Sequence, residues 1–262
     1  LSVVLDLIKT GDISLLRGNQ SEIKAIYDAL SPNTQADAST TGKGVDGGQV
    51  DDSAVIVYRL ARLINCPVVA TGEEDYVSDG TRVFAVPHGH SIMSAVTGTG
   101  CLLGAVLAAF FSVYYLCKER LSIGEFLAYA LAYYGLAGES AVQVSGVKPG
   151  SFSVAFMDRL YTLDDAVLMS ENRIRPIVIP DQLQVYFISG TQDVELNETR
   201  LLSIVEDACR GGVTCFQFRE KGEGTLEGQQ KLELAQRLQH ICAKYNVLYI
   251  INDDVDLAVA VN

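Results

Sequence analysis

The apolar positions of Leu1-Ser2-Val3-Val4-Leu5-Asp6-Leu7-Ile8-Lys9 repeat with a helical period, so the chain opens on a helix. The short run Ile13-Ser14-Leu15-Leu16 after Gly11-Asp12 predicts a buried strand that delivers Arg17-Gly18-Asn19-Gln20-Ser21-Glu22 to its carboxyl end. A helix over 21–30 follows, capped by Asn19 or Ser21. Residues 31–48 are rich in Ser, Thr, Asn, Asp and Gly and read as a loop ending in Gly42-Lys43-Gly44-Val45-Asp46-Gly47-Gly48, which lacks the GxxxxGK[ST] spacing of a P-loop. A helix over 51–65 turns Val55, Tyr58, Ala61 and Leu63 or Ile64 inward, and the apolar run 67–70 is a second strand ending in Thr71-Gly72. Tyr76-Val77-Ser78, an Asp79-Gly80 turn and 82–86 alternate as a β-hairpin does, and a hairpin is expected at the edge of a parallel sheet.

Thr97-Gly98-Thr99-Gly100-Cys101 then runs into an uncharged apolar stretch through Phe111. The uncharged run 101–117 sits at the lower limit for a membrane span, but Gly104, Ser112, Tyr114 and Tyr115 within it favour a buried core helix. A second long apolar helix covers 122–144; Gly146, Pro149 and Gly150 force a loop, and Ser151 caps a last helix through 161. Residues 169–182, with Pro176 and Pro180, read as a connector between a first domain over 1–168 and a second over 183–262. The second domain reads strand, helix, strand, helix, strand, the rhythm of a parallel sheet or a (β/α)8 barrel, so the fold class is α/β throughout.

A net charge of −12 argues against nucleic-acid binding, so any anionic ligand must be held locally by a few cations, amides or a metal. The six cysteines have no CxxC spacing, which signals neither zinc nor a disulfide framework and makes a reducing cytoplasm the simplest location. No signal pattern opens the chain, and both ends, each inside a helical pattern, look cut. His88 and His90 have no third partner nearby and read as loop histidines.

Candidate chemistry gathers at three places. Glycines 98 and 100 let a backbone approach a ligand closely, and the helix they lead into presents unpaired amides to an anion, with Cys101 at its mouth. A tight turn before a buried helix is the plain alternative. Arg17, Glu22 and Thr71 stand at strand ends, where α/β sheets gather ligands, although on the residues alone a surface ion pair is the stronger reading of Arg17 and Glu22. In the second half, Arg219 and Lys221 beside a strand end suit a diphosphate, and a carboxylate on the neighbouring strand end suits Mg2+.

Leu16-Arg17-Gly18-Asn19-Gln20-Ser21-Glu22-Ile23, Gly42-Lys43-Gly44-Val45-Asp46, Val69-Ala70-Thr71-Gly72 with Val77-Ser78-Asp79-Gly80, Thr97-Gly98-Thr99-Gly100-Cys101 and Lys148-Pro149-Gly150-Ser151-Phe152 occur in an order that resembles hydroxyethylthiazole kinase, a ribokinase-like kinase. The resemblance implies a ribokinase-like α/β domain and phosphoryl transfer from ATP to hydroxyethylthiazole. It implies that Arg17 and Thr71 contact ATP, Glu22 helps place Mg2+, Gly98 lies against the thiazole and Cys101 takes the place of the usual aspartate base. Gln217-Phe218-Arg219-Glu220-Lys221 and Ile251-Asn252-Asp253-Asp254-Val255-Asp256-Leu257-Ala258 are similar to the beginning of thiamine phosphate synthase. That likeness implies the first βα units of a TIM barrel, with Gln217, Arg219, Lys221 and Asn252 on hydroxymethylpyrimidine diphosphate and Asp253 on Mg2+.

Together the two likenesses imply a bifunctional enzyme of thiamine biosynthesis, the kinase represented by its C-terminal part and the synthase by its N-terminal part. Small-molecule substrates, no nucleic acid, no membrane and a homo-oligomer, a trimer by family resemblance, are expected. A catalytically inactive binding fragment, or a kinase of another small alcohol, is the alternative.

Overall fold

The computed structural model describes residues 1–31, 52–114, 116 and 121–261, so the Gly42–Asp46 landmark, Tyr115 and Cys117 lie outside the described residues. The chain divides into two units, Leu1–Ile177 and Val178–Asn262. In the first, α1 (Ser2–Thr10) precedes β1 (Leu16–Asn19), α2 (Gln20–Leu30), α3 (Asp52–Ile64), β2 (Val68–Thr71), β3 (Asp75–Ser78) and β4 (Val83–Val86). Then come the short α4 (Ile92–Ala95), α5 (Thr99–Tyr114), α6 (Ile123–Ser145), α7 (Pro149–Thr162), α8 (Asp165–Ser170) and β5 (Arg175–Ile177).

The sheet order is β1-β2-β3-β4-β5, with β1 and β2 parallel and the remaining pairs antiparallel. This corrects two expectations. The 75–86 hairpin is not at the edge: β3 pairs with β2 and β4 with β5, and β4 is buried along its whole length. Part of the stretch read as a connector, Arg175–Ile177, is the strand that covers β4. The first strand also begins later than its apolar residues suggest, because pairing with β2 sets Leu16 opposite Val68 and Asn19 opposite Thr71. Arg17 therefore lies inside the strand instead of beyond its end.

Asn19 begins α2 with a capping box: its side chain accepts from the Glu22 amide while the Glu22 carboxylate accepts from the Asn19 amide. In α3 the buried stripe is Ala54, Val57, Tyr58, Leu60 and Ala61; Leu63 is exposed, so the inward face is rotated from the one expected. Ser122 caps α6 by accepting from the Glu125 amide. Gly135 and Gly138 let α6 press against His88 and Met93, where any added Cβ would come within 2.5 Å of their side chains. Pro149 does not hold a loop open but starts α7 at its first position, where a missing N–H costs nothing, and Lys148 takes the cap position expected for Ser151.

The first core joins Val69, Val77, Phe84 and Val86 of the sheet to Leu103 and Leu107 of α5, Leu127, Leu131 and Tyr134 of α6, and Phe152 and Phe156 of α7. The helix expected to be a buried core element is half-open: α5 buries Leu103 and Leu107, whereas Ala105, Ala108, Ala109 and Val113 are exposed. No helix among the described residues is long and apolar enough to cross a membrane.

The second unit contains β6 (Tyr186–Ser189), α9 (Glu198–Arg210), β7 (Cys215–Phe218), α10 (Gly228–Lys244), β8 (Leu248–Ile251) and α11 (Val255–Val261). The strands run parallel in the order β6-β7-β8, as the alternating rhythm requires. Phe216 and Phe218 turn toward α9 and α10, packing with Leu201, Val205, Leu234 and Leu238. The intervening Gln217 falls on the other face by strand alternation.

Candidate functional site

In the first unit, parallel pairing sets Arg17 on β1 one strand away from Thr71, the last residue of β2. The Arg17 guanidinium donates to Thr71 Oγ1 at 3.1 Å, and Thr71 Oγ1 in turn donates to the Gly18 carbonyl at 3.3 Å. The same guanidinium passes the head of α5, where a Cβ on Gly100 would sit 3.4 Å from both terminal nitrogens. A side chain at position 100 would crowd that approach. Arg17 Nε is buried and has no acceptor in the protein.

Gly98, at φ +97°, turns the chain into α5, and its carbonyl accepts from the Leu102 amide at 2.8 Å. Such a φ strains any residue with a Cβ. By position in the first turn, the Gly100 and Cys101 amides lack intrahelical acceptors, and the helix dipole is positive there. Cys101 is exposed in this turn. Arg17, Thr71, Gly98 and the start of α5 are thus brought together, as expected. Glu22 lies next to them against Gly18, with Oε2 accepting from the Asn19 amide at 2.8 Å.

Two neighbours were missed from sequence. Asp75 Oδ1 accepts from the Gly72 amide at 2.9 Å, closing the turn after Thr71. Burial pushes its carboxyl up to about 7, although the Gly72 amide and the Arg17 charge pull the other way. A carboxylate three residues after a strand-end glycine is a turn signal, but its burial is not legible locally. Tyr134, hidden in the apolar run of α6, donates to the Thr99 carbonyl at 2.6 Å and ties α6 to the head of α5. Gln20 Nε2 donates to the Glu74 carbonyl at 3.0 Å, and Gly72 leaves room for it.

His88 and His90 are loop histidines, as expected: the buried His88 accepts from the Arg173 amide through Nε2 at 3.1 Å, and His90 Nδ1 accepts from the Ile92 amide at 3.2 Å. Among the described residues no group of three or more His, Cys, Asp or Glu side chains could hold a metal. Among these residues magnesium would rest on single carboxylates and phosphate oxygens, a donor set that Mg2+, which keeps several waters, accepts. Glu22 and Asp253 both fit that mode, each with one oxygen outside its protein hydrogen bond.

The second cluster stands at the carboxyl ends of β7 and β8. Gln217 is within β7, and Arg219, Glu220 and Lys221 follow that strand. Asn252 follows β8, its amide donating to the Phe218 carbonyl at 3.0 Å, and Asp253 takes a left-handed φ of +57°. Lys221 Nζ donates to Asp253 Oδ2 at 2.6 Å, and this bond holds the Asp253 carboxyl below its ordinary value. Lys221, Asn252 and Asp253 are thereby gathered at one end of the sheet, as expected.

These features define an α/β protein with an arginine and a glycine-led helix head gathered at one place and a cation-carboxylate pair at another. The model of the hydroxyethylthiazole kinase family matches residues 1–166, and the chain belongs to that family. The thiamine monophosphate synthase model matches residues 185–262. A hydroxyethylthiazole kinase of Streptococcus agalactiae serotype Ia is 41% identical over 172 residues, 65% of this chain and 62% of the relative. The thiamine biosynthesis bifunctional protein ThiM/ThiE of Symbiobacterium thermophilum is 33% identical over 265 residues, 98% of this chain and 50% of the relative, so both halves occur fused in that protein. The structure of a hydroxyethylthiazole kinase protein from Pyrococcus horikoshii matches 68% of this chain and 59% of its own, with TM-score 0.53 and 30% identity. The chain spans less than two thirds of each of these relatives.

Proposed function

We propose that this chain is part of a bifunctional enzyme of thiamine biosynthesis. Its kinase-like part, 1–168, transfers the terminal phosphoryl group of ATP to the primary alcohol of 4-methyl-5-(2-hydroxyethyl)thiazole. Its synthase-like part, 183–262, contributes the first βα units of a TIM barrel that joins the thiazole phosphate to hydroxymethylpyrimidine diphosphate and releases pyrophosphate. Residues 169–182 join the two, although 175–177 are built into the first sheet.

The observation that carries the reading is the meeting of the Arg17 guanidinium, the Thr71 hydroxyl and the glycine-led head of α5. Phosphoryl transfer needs chiefly positioning and neutralisation of charge. Arg17, with Nε still lacking an acceptor, supplies both toward ATP, and Thr71 fixes its guanidinium plane. The first amides of α5 receive phosphate oxygens, Gly98 leaves room for the thiazole, and Cys101 Sγ accepts the proton of the attacking alcohol. Glu22 would hold Mg2+ here and Asp253 would hold it in the second unit, and the ion would supply neutralisation of phosphate charge. Gln217, Arg219, Lys221 and Asn252 bind the pyrimidine diphosphate.

The free cysteines among the described residues accord with a reducing cytoplasm. The exposed apolar side of α5 accords with self-association, as a trimer by family resemblance. The test is thiazole-dependent formation of ADP from MgATP by the full chain. A folded protein that forms no thiazole phosphate under saturating substrates overturns the kinase assignment.

A further inference from the structure

The carboxylate between the two cations of the second cluster is hydrogen-bonded to Thr191 and Leu226. Glu220 Oε2 accepts from the Thr191 amide at 2.9 Å, and Oε1 accepts both from the Thr191 hydroxyl and from the Leu226 amide, the latter at 3.0 Å. One carboxylate therefore fastens the loop after β7 to the turn after β6 and closes the loop on itself. Thr191 is itself buried, at 1% exposure, so this anchor does not move freely.

A second side chain clamps the same backbone. Gln192 Nε2 donates to the Arg219 carbonyl at 2.8 Å, and Gln192 Oε1 accepts from the Lys221 amide at 3.4 Å. The Gln192 amide thus brackets Glu220 from both sides. Gly190 completes the contact: a Cβ there would stand 2.1 Å from the Arg219 carbonyl oxygen, so only glycine lets the two loops come so close.

We propose that Glu220, through Thr191 and with Gln192, is a positioning residue that fixes the spacing of Arg219 and Lys221 and so makes this strand end selective for a diphosphate over a single phosphate. The inference rests on the reading of the second unit as a diphosphate site. Two cations held at a fixed separation reward a ligand with two phosphate groups, whereas one phosphate gains little from the fixed spacing. The charge of Glu220 works in the opposite direction. A carboxylate beside two cations weakens their pull on any anion, so its removal would tighten binding if charge were all it contributed.

That opposition of sign makes the test decisive. Calorimetric titration of the full chain with inorganic pyrophosphate and with inorganic phosphate, each with Mg2+, compares the parent with E220A, E220Q and T191S. We expect E220A to bind pyrophosphate about tenfold more weakly, the scale of losing hydrogen bonds to a charged group. Phosphate affinity should change less than twofold, E220Q should fall between parent and E220A, and T191S, which keeps the hydroxyl, should match the parent. Circular dichroism identifies any variant that has lost its fold, and E220Q then carries the comparison for E220A. Pyrophosphate binding by E220A or E220Q that equals or exceeds the parent's overturns the positioning role while leaving the diphosphate site intact. A folded parent that binds pyrophosphate no better than phosphate overturns both.

Discussion

Asp75 offers a direct check on the electrostatics of the first site. Its carboxyl is pushed up to about 7, well above the ordinary aspartate range near ~4, with burial outweighing the Gly72 amide and the Arg17 charge. A carboxyl raised on folding contributes stability that is complete below its unfolded value and is lost as pH climbs through its folded one. The window therefore runs from about pH 4 to about pH 7. Three pH units at about 1.4 kcal/mol each set the loss across it at up to ~4 kcal/mol, before the site relaxes or admits water. Asp75→Asn keeps an oxygen to accept from the Gly72 amide and removes the ionisation. Urea unfolding of the parent and of the variant, followed by a probe in the first unit at intervals from pH 4 to 8, should show stability curves that diverge as pH rises, the variant becoming the more stable. The same titration bears on nucleotide binding: a neutral Asp75 leaves the Arg17 charge to the phosphates, so ATP affinity should fall in the parent above pH 7 and much less in the variant. Parallel stability curves from pH 4 to 8 would refute the burial argument, because a carboxyl titrating normally contributes nothing to that slope.

Cys101→Ala should reduce thiazole phosphorylation by at least about 100-fold, the low end for losing a proton acceptor, while ATP affinity measured by calorimetry changes little; equal turnover removes Cys101 from the reaction. Arg219→Ala should weaken pyrophosphate binding by about 2 kcal/mol, as expected for a charge-assisted contact, and an unchanged dissociation constant would clear Arg219 of that role. Gly135→Ala places a Cβ 2.5 Å from the Cβ of His88 and 2.7 Å from its carbonyl carbon. Overpacking of that kind should cost about 1–3 kcal/mol in thermal or chemical unfolding, and a wild-type unfolding midpoint would show that α6 shifts freely from the loop.

The alternating elements of the second unit were legible because each parallel strand is followed by its own helix and pairs with its sequence neighbour. The first unit was less so. The register of β1 comes from β2, not from the apolar residues Ile13 and Leu15, and a register set by a distant partner leaves no local trace. Likewise the hairpin looked like an edge because its cover, β5, comes from a proline-containing segment read as a connector. Thr71 and Gly98 were legible since a strand-end polar residue and a glycine mark close approach, whereas Arg17, expected beyond a strand end, lies within β1. Asp75, Tyr134 and Thr191 were not, since their importance lies in burial and in partners on other elements. Glu220 stood in plain view within its motif, yet nothing local shows that its carboxylate reaches across to Thr191.

The two proposed anion sites would solve the problem of a net charge of −12 in different ways. In the first, Arg17 is tied to a neutral hydroxyl, so its charge is already available and no ion pair need break when an anion arrives. In the second, Lys221 is paired with Asp253, and both side chains are largely exposed, at 49% and 73%. An exposed pair contributes little to stability, because water screens it and both side chains lose freedom to form it. Opening it is therefore cheap, and it frees two groups of opposite use: an ammonium for phosphate oxygens and a carboxylate for a cation that accompanies them. On the proposed reading, Lys221 would turn to a diphosphate and Asp253 to its magnesium, so the internal pair would give way to two external ones without leaving either charge alone. A free diphosphate without a cation would leave Asp253 facing it, which predicts that pyrophosphate binding to the full chain strengthens on adding Mg2+ and that Asp253→Asn abolishes most of that gain. Equal Mg2+ dependence in parent and variant would show that the pair does not exchange in this way.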